Sequence, residues 1–477
     1  MATIQTAFSI ATGALDANQE ALNIEANNTA NVNTPGYTVE TPIWEQNDAV
    51  SLNGVATGAG AQVTGAESQR SRVLEQAMQQ QTQTESASAA RLTALDQMQA
   101  LFTGAASADT DTSAASGIGS DLSNLFDTLS SLEASPADVA SRQNVLSAAG
   151  TLASDFNSAA SELESQQQSL DEQSTSVVGQ ANALLGNIAQ LNVQIESTSP
   201  NQDAGTLEDQ RQQDLTQLSQ LIGIRTVPTE DNGLTVTTMD GALLVSQGQT
   251  FAIGSGESGG VTHYYDSQGN DITADLTAGG GQLGGILTAR DQDIPQVETA
   301  LDTLAYGVAS EMNALNEGGA DLNGNAGGAI FGLPAGATAA NPAGSAAGIS
   351  VVMTDPSGIA AAAMGNGPSD DTNLLQMANQ ANYTGGMGET PTQYFSDMVT
   401  SLGSLGSEVS SENTSQQAAL TQLQNQIGSL SGVNLNDEAA SIETLEQSYE
   451  AASKLFTVLD QVVMSALNLG VDTTYTT

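Results

Sequence analysis

Few side chains in this chain could do chemistry, and their spacing does not gather them. The one histidine, His263, lies in the run Val261 to Tyr265, and there is no cysteine. A lone imidazole cannot make a histidine-rich metal set, and no serine or aspartate nearby gives it the context of a nucleophilic triad. His263 therefore reads as an exposed strand residue. Asp321, Asn323 and Asn325 begin like a calcium loop, but Ala326 stands where the sharp-turn glycine belongs and Gly332 where a bidentate glutamate belongs. A polar turn is the better reading. The 54 Asp and Glu residues could supply the carboxylate pair of a glycoside hydrolase, but so many acids make any one pair uninformative. The glycines at 279–281 and 284–285 lack the spacing of a phosphate cradle and read as turns and a helix start. Without cysteine there is no disulfide framework, thiolate zinc site or thiol nucleophile. The residues point to no catalytic site, no metal and no cofactor.

The elements that would position a site are not those of a compact enzyme. From Val145 to Ile195 apolar residues recur every three or four positions, with Gln166 and Gln173 filling two seam positions and one skip near 177–181. A helix of about 50 residues would be roughly 75 Å long. Helices are predicted before it at Val73 to Phe102 and Leu122 to Leu132, and Ser135-Pro136 reads as its start, since proline is tolerated in a first turn. Leu207, Arg211, Leu215, Leu218 and Ile222 close this helical half. At Gly223 the pattern changes to short β-branched runs: Ile224 to Val227, Leu234 to Thr237, Leu243 to Val245 and Phe251 to Ile253, separated by turn residues. Val261 to Tyr265 and Asp271 to Leu276 read as one more hairpin. Helical periodicity resumes from Leu283 to Leu315, followed by a Gly/Ala-rich linker at 318–348 that Ile330-Phe331 interrupts. Ile349 to Met353 adds a strand to the β region or lies on the helices. A last long helix runs from Tyr394 to Leu430 and stops at Ser431-Gly432. No repeat of a solenoid kind is visible.

The two ends of the chain match each other. Ile4, Phe8, Ala11, Leu15, Asn18 and Leu22 alternate at spacings of four and three, the mark of a helix with one coiled-coil seam. Ile442, Tyr449, Phe456 and Val463 are seven apart, with Leu445, Ala452, Leu459 and Ala466 at the second seam position. Such a stripe is usually only the core face of a helix. Here both extreme ends carry one, both keep coiled-coil spacing, and Ala or Asn at several positions makes each pairing weak alone. The fold expected is mainly α: a long helical bundle with paired N- and C-terminal coiled-coil helices and a small inserted antiparallel β domain. Its parts are a terminal coiled-coil core at 1–45 and 431–477, a long-helix domain at 46–222 and 282–430, and the β domain at 223–281. The candidate assembly interface is Ile4, Phe8, Leu15, Leu22, Asn31, Pro35, Gly36, Tyr37, Ile442, Leu445, Tyr449, Phe456, Leu459 and Val463.

With 477 residues the chain has room for two to four domains. Its formal net charge of −46 repels phosphate backbones and anionic lipid, which argues against nucleic acid and membrane as partners. The acids are dispersed rather than in blocks and read as a solvated surface. The N-terminus lacks a basic n-region and a continuous apolar segment, and no apolar run approaches the roughly 18 residues of a membrane span. If the protein leaves the cell, the expected route reads no cleavable signal.

The run ANNTANVNTPGY from Ala26 to Tyr37, entered from a helix at Ala21 to Glu25, resembles the N-terminal signature of bacterial flagellar rod, hook and hook-associated proteins. Helix-forming residues give way there to asparagines that tolerate left-handed geometry, and Thr34-Pro35-Gly36 forces a turn. The C-terminal stretches Ser431 to Ala440 and Gln447 to Ala452 are similar to the end of the first hook-associated branch of that family. So are Leu283 to Leu287, Arg290-Asp291 and Asp321 to Asn325, in the same order. Thr29, Thr38-Val39 and Lys454 depart from the residues the family favours at those places.

The resemblance implies a structural subunit of the bacterial flagellum, without enzymatic activity, in a ring that joins hook to filament. The partners it implies are further copies of this chain, the hook protein, the second hook–filament junction protein and a cytoplasmic export chaperone on Leu445, Tyr449, Phe456, Leu459 and Val463. It also implies export through the flagellar type III apparatus to the cell exterior. Competing readings are another axial protein, such as the hook protein or the second junction protein, or an extracellular hydrolase or adhesin with its site on the β insert.

Overall fold

The computed structural model describes residues 2–52, 55–103, 117–198 and 203–468. Helix α1 (Ala2–Asn31) leads into four strands, β1 (Glu40–Gln46), β2 (Val50–Leu52), β3 (Val55–Thr57) and β4 (Ala61–Ser68), in which β1 pairs with β4 and β2 with β3, both antiparallel. Helices α2 (Arg72–Thr103), α3 (Ile118–Glu133), α4 (Val139–Thr198) and α5 (Thr206–Leu221) follow. Next, β5 (Arg225–Pro228), β6 (Leu234–Thr237), β7 (Leu243–Ser246) and β8 (Gln249–Thr250) form a sequential antiparallel sheet, and β9 (Gly254–Ser258) with β10 (Val261–Tyr265) forms a hairpin. The chain returns through α6 (Thr273–Gly279), α7 (Gly281–Thr288), a π-helical turn at Ala289–Asp293 and α8 (Ile294–Gly318). A loop-rich stretch holds β11 (Gly319–Ala320), β12 (Phe331–Gly332), α9 (Ser345–Gly348), β13 (Ser350–Val351), β14 (Ala362–Ala363) and α10 (Thr372–Ala378). The chain then closes with α11 (Pro391–Ser431) and α12 (Leu435–Asn468). The architecture is mainly α with a small antiparallel β insert.

The spine is α4, whose 60 residues span about 90 Å at an α-helical rise. It begins at Val139, not at Ser135-Pro136 as expected: Pro136 lies in the preceding turn, and the Asp138 carboxylate accepts the Ser141 amide at 2.9 Å, capping the first turn. One face of α4 buries Leu152, Phe156, Leu163, Leu185 and Ile188 in a single core shared with α2, α3, α5, α7 and α8. The close approach of α7 to α2 explains one glycine. A Cβ at Gly285 would lie 2.1 Å from the Ala87 carbonyl oxygen, so the helices meet where only hydrogen fits.

A second face of α4 is polar and carries the β insert. Asp171 accepts the Thr262 amide at 2.9 Å and hydroxyl at 2.7 Å, Ser174 meets the Tyr264 hydroxyl at 2.5 Å, and Asn182 exchanges two hydrogen bonds with the Ile253 backbone. Fully buried Asn192 donates to the carbonyls of Leu234 and Gln247 at 2.8 and 3.0 Å and accepts from Arg211 at 3.0 Å. Arg290, in the π-helical turn, reaches Asp171 at 2.5 Å, Asp291 at 2.7 Å and the Thr262 carbonyl at 3.0 Å. Buried polar groups are costly unless paired, and here, Arg290–Asp291 apart, the two ends of each pairing lie on different segments.

Several sequence expectations change. The expected hairpin is reduced to one antiparallel bridge, Tyr265 with Asp271, since α6 starts at Thr273 and β10 pairs along its length with β9. Phe251 to Ile253 is irregular because Asn182 claims the Ile253 backbone groups that a ladder would need. Ile349 to Met353 joins neither the insert nor the helices alone; Val351 pairs with Phe331 in a separate two-stranded ladder. The stretch at 318–348 is no bare linker, since Ile330, Phe331 and Ala346 are buried in the core. The hairpin at 40–68 was not foreseen, and β1 crosses the boundary expected after residue 45. Residues 469–477 of the expected terminal domain lie outside the described residues.

Replacing Asn192 by leucine removes the bonds to Leu234, Gln247 and Arg211 while keeping volume. The cost expected is about 3 kcal/mol, from buried groups left unpaired. It is read as faster hydrogen exchange across residues 225–250, with α3 protection unchanged.

Candidate functional site

Helices α1 and α12 lie against each other and antiparallel. Phe8 meets the Phe456 ring edge-on at 5.0 Å near one end, and Asn28 meets Glu438 at 3.2 Å near the other. None of their described side chains joins the main core. Ala11 and Ala21 are fully buried, Ala17 and Ala452 nearly so, because small residues let two backbones approach. Among the candidate interface residues, Ile4, Phe8, Leu15, Leu22, Ile442, Leu445, Phe456, Leu459 and Val463 are half-buried. Tyr449 differs: it is exposed, and Ala452 rather than an aromatic ring occupies the tightest point on α12.

Sequence reasoning overlooked a second face of α12. Leu455, Val458 and Val462 are 48%, 55% and 46% exposed, although they repeat at helical spacing. The signal was present as doublets, Leu455-Phe456, Val458-Leu459 and Val462-Val463. Consecutive helical residues point about 100° apart, so each doublet serves two faces. One is directed at α1, and the other is uncovered in a single chain.

At the far end of the pair a polar cluster links the helices to the rest of the chain. Asn28, fully buried, uses all its hydrogen-bonding capacity. Its Oδ1 accepts from the Tyr37 hydroxyl at 2.8 Å and the Glu40 amide at 3.0 Å, and its Nδ2 donates to the Glu40 carbonyl at 2.8 Å and Glu438 Oε2 at 3.2 Å. The turn that delivers Tyr37 closes with the Tyr37 amide on the Thr34 carbonyl, and Gly36 adopts φ +80°, where a side chain would be strained. Pro35 and Gly36 are themselves exposed, and half-buried Asn31 bonds back to Asn27 within α1. Beyond the turn, the Val39 amide donates to the Ser431 carbonyl at 2.9 Å and the Thr38 amide to Asp209 at 3.0 Å. Arg70 pairs with Asp209 at 2.9 Å and Glu208 at 3.3 Å, and the Ser68 amide donates to Asp203 at 2.7 Å. Terminal pair, hairpin and the start of α5 are thereby joined at one point.

This cluster is strongly acidic. Glu25, buried next to Glu438, is pushed up to about 8, first by burial and then by its hydrogen bond and charge contact with Glu438, with Asn28 opposing. Glu40 is raised by burial and by Asp203 and Asp209, against Arg70. The Tyr37 hydroxyl is raised by burial, then by Glu40, Asp209 and Glu438. Elsewhere, His263 Nδ1 lies 2.8 Å from Asp271, and Asp321 accepts the amides of Asn323 and Asn325 at 2.8 and 2.7 Å in a polar turn. Among the described residues no three His, Cys, Asp or Glu side chains are grouped to hold a metal, and no helix is long and apolar enough to cross a membrane.

Comparison with known proteins follows the same division of the chain. Residues 95–331 match the family described as the flagellar hook-associated protein FlgK helical domain, and residues 8–38 match the flagella basal body rod protein family. The chain is 24% identical to flagellar hook-associated protein 1 of Escherichia coli (strain K12), over 95% of this chain and 98% of that one. Identity to the protein of the same description from Bacillus subtilis (strain 168) is 25%, over 95% and 96%. The solved structure of the flagellar hook junction protein FlgK from Burkholderia pseudomallei superposes with a TM-score of 0.65 at 18% identity, covering 76% of this chain and all of that one.

Replacing Asn28 by alanine removes the partners of the Glu40 amide and carbonyl and of Glu438 Oε2, and leaves the Tyr37 hydroxyl only the bond it accepts from Asn27. A loss of about 2–3 kcal/mol is expected in closure of α12 on α1. Exchange protection of residues 438–463 falls accordingly while α4 keeps its own. Asn31→Ala, which removes only bonds to the exposed turn and to Asn27, leaves protection within a few tenths of a kcal/mol of the parent.

Proposed function

We propose that this chain, which belongs to the FlgK family of flagellar hook-associated proteins, builds the junction between hook and filament and does so through the outer face of α12. It is a structural component of the flagellum. The observation that carries the role of α12 is its second apolar stripe, Leu455, Val458 and Val462, left exposed when the first stripe meets α1. Apolar surface of this kind is stabilised by removal from water, roughly 25 cal/mol per Å² buried. Within a ring of identical subunits, the uncovered face of one α12 packs against the terminal pair of the next. The terminal helices then form the inner wall of the tube, with α4 and the β insert facing outwards. The hook protein and the second junction protein are the neighbours along the axis.

Before assembly both faces of α12 need cover. A cytoplasmic export chaperone would take Leu445, Tyr449, Phe456, Leu459 and Val463 while α1 is unpaired. Export through the flagellar type III apparatus without a cleaved signal suits a terminal pair whose small seam residues hold it only weakly closed. The proposed role involves binding and assembly, with no reaction catalysed.

Val458→Asp combined with Val462→Asp tests the reading. The purified variant should keep the circular dichroism of the parent, since both side chains are exposed. Cells that carry it should show bare hooks, shed filament subunits into the medium and fail to swim. Normal filaments on these cells would contradict the assignment of the outer face.

A further inference from the structure

We propose that the terminal helix pair is a proton-operated clasp, in which Glu25 on α1 and Glu438 on α12 share one proton when the helices close, so that closure takes up a proton and weakens as pH rises. The proposal rests on geometry within one chain and goes beyond the flagellar role.

The two carboxyls come from opposite ends of the sequence and reach each other only in the closed pair. Glu25 is 8% exposed and Glu438 6% exposed, and Asn28, one turn after Glu25 on α1, donates its Nδ2 to Glu438 Oε2 at 3.2 Å, so both carboxyls are buried in the same interface. Two ionised carboxylates buried in one interface repel each other and lack water, whereas one proton held between them removes the repulsion and supplies a donor. Among the described residues no cation is paired with either carboxyl. Neutral Asn28 on α1 donates to Glu438, and the Tyr37 hydroxyl, bonded to the same Asn28, is raised by burial and then by the charges of Glu40 on β1, Asp209 on α5 and Glu438. Arg70 is engaged by Glu208 and Asp209, and Asp437, the next acid on α12, is at the surface with Asn434. When the helices separate, water solvates both carboxyls and the shared proton is released.

The sign follows from the direction of the shift. Glu25 in the closed pair sits at about 8, against 4.5 for an ordinary glutamate. Between those values the closed state binds more protons than the open one. Its stability is therefore full below about 4.5, declines across the window and is flat above about 8.

The chain has no cysteine, so Gln19→Cys and Gln447→Cys place a unique fluorophore pair on exposed positions of α1 and α12. Energy transfer in the full chain is read against pH, in urea chosen to half-open the pair at pH 5. The closed-to-open ratio should fall about tenfold or more between pH 5 and pH 9. In Glu25→Gln the fall should shrink to about twofold or less, with closure retained at pH 9, and in Glu438→Gln, which keeps an acceptor for Asn28, it should shrink without vanishing, because burial alone still raises Glu25. Glu443→Gln, an exposed acid on the same helix, should keep the parental profile. A flat profile in the parent, an unchanged profile in Glu438→Gln, an equal loss in Glu443→Gln, or no transfer at any pH would each overturn the clasp.

Discussion

Closure of the first helix on the last sets the terms for everything between them. Because α1 and α12 meet antiparallel, with Phe8 on Phe456 and Asn28 on Glu438, the chain has to leave from and return to one place. That place is a buried asparagine whose four hydrogen bonds join the pair to the following turn and strand. Neither helix shares the main hydrophobic core, so the pair is held by a narrow seam of alanines and half-buried apolar residues together with that polar contact. A seam of this sort is weak in a single chain, and the exposed Leu455, Val458 and Val462 give it somewhere else to gain stability.

The body of the molecule solves a different problem, that of holding a small β insert far out on a rod. The insert has little core of its own. It is fixed by side chains of α4, Asp171, Asn182 and Asn192 on backbone groups of the insert and Ser174 on the Tyr264 hydroxyl, with Arg290 arriving from the returning helix. These contacts are directional, so they set register and orientation as well as contributing energy. The same logic holds at the base, where Asp209 and Arg70 clamp the hairpin that leads out of the terminal pair.

Periodicity made the helices legible, because α2, α3, α4, α8 and α11 each keep a three-four apolar alternation over many turns. The paired termini and the strands β5 to β7 were legible for similar reasons. What remained hidden has physical causes. The hairpin at 40–68 mixes Pro42, Gly58, Gly60 and Gly65 with few apolar residues, and it is placed by acids far away in sequence at 203 and 209. Asp271 to Leu276 alternates like a strand, yet Asp271 accepts the Thr273 amide and starts a helix. At the terminal site, the heptad count put Tyr449 on the seam, but Ala452 is what lets the backbones approach. Asn28 was read among asparagines that end the helix in left-handed geometry, yet α1 stays helical to Asn31 because the Asn28 side chain serves the buried contact, and Glu25 and Glu438 were given no role. A turn motif gave the family, whereas only the fold brings residues 28 and 438 together.

The central claim is that α12 presents two apolar faces, one closed by α1 and one by a neighbouring copy. A cryo-electron-microscopy map of intact flagella from the parent bacterium, resolved to side chains at the hook–filament junction, tests it directly. The account predicts α1 and α12 paired along the inner wall, with Leu455, Val458 and Val462 of each subunit buried against the terminal helices of the next. A map in which those three side chains face the open lumen, or in which α12 has left α1, would contradict it.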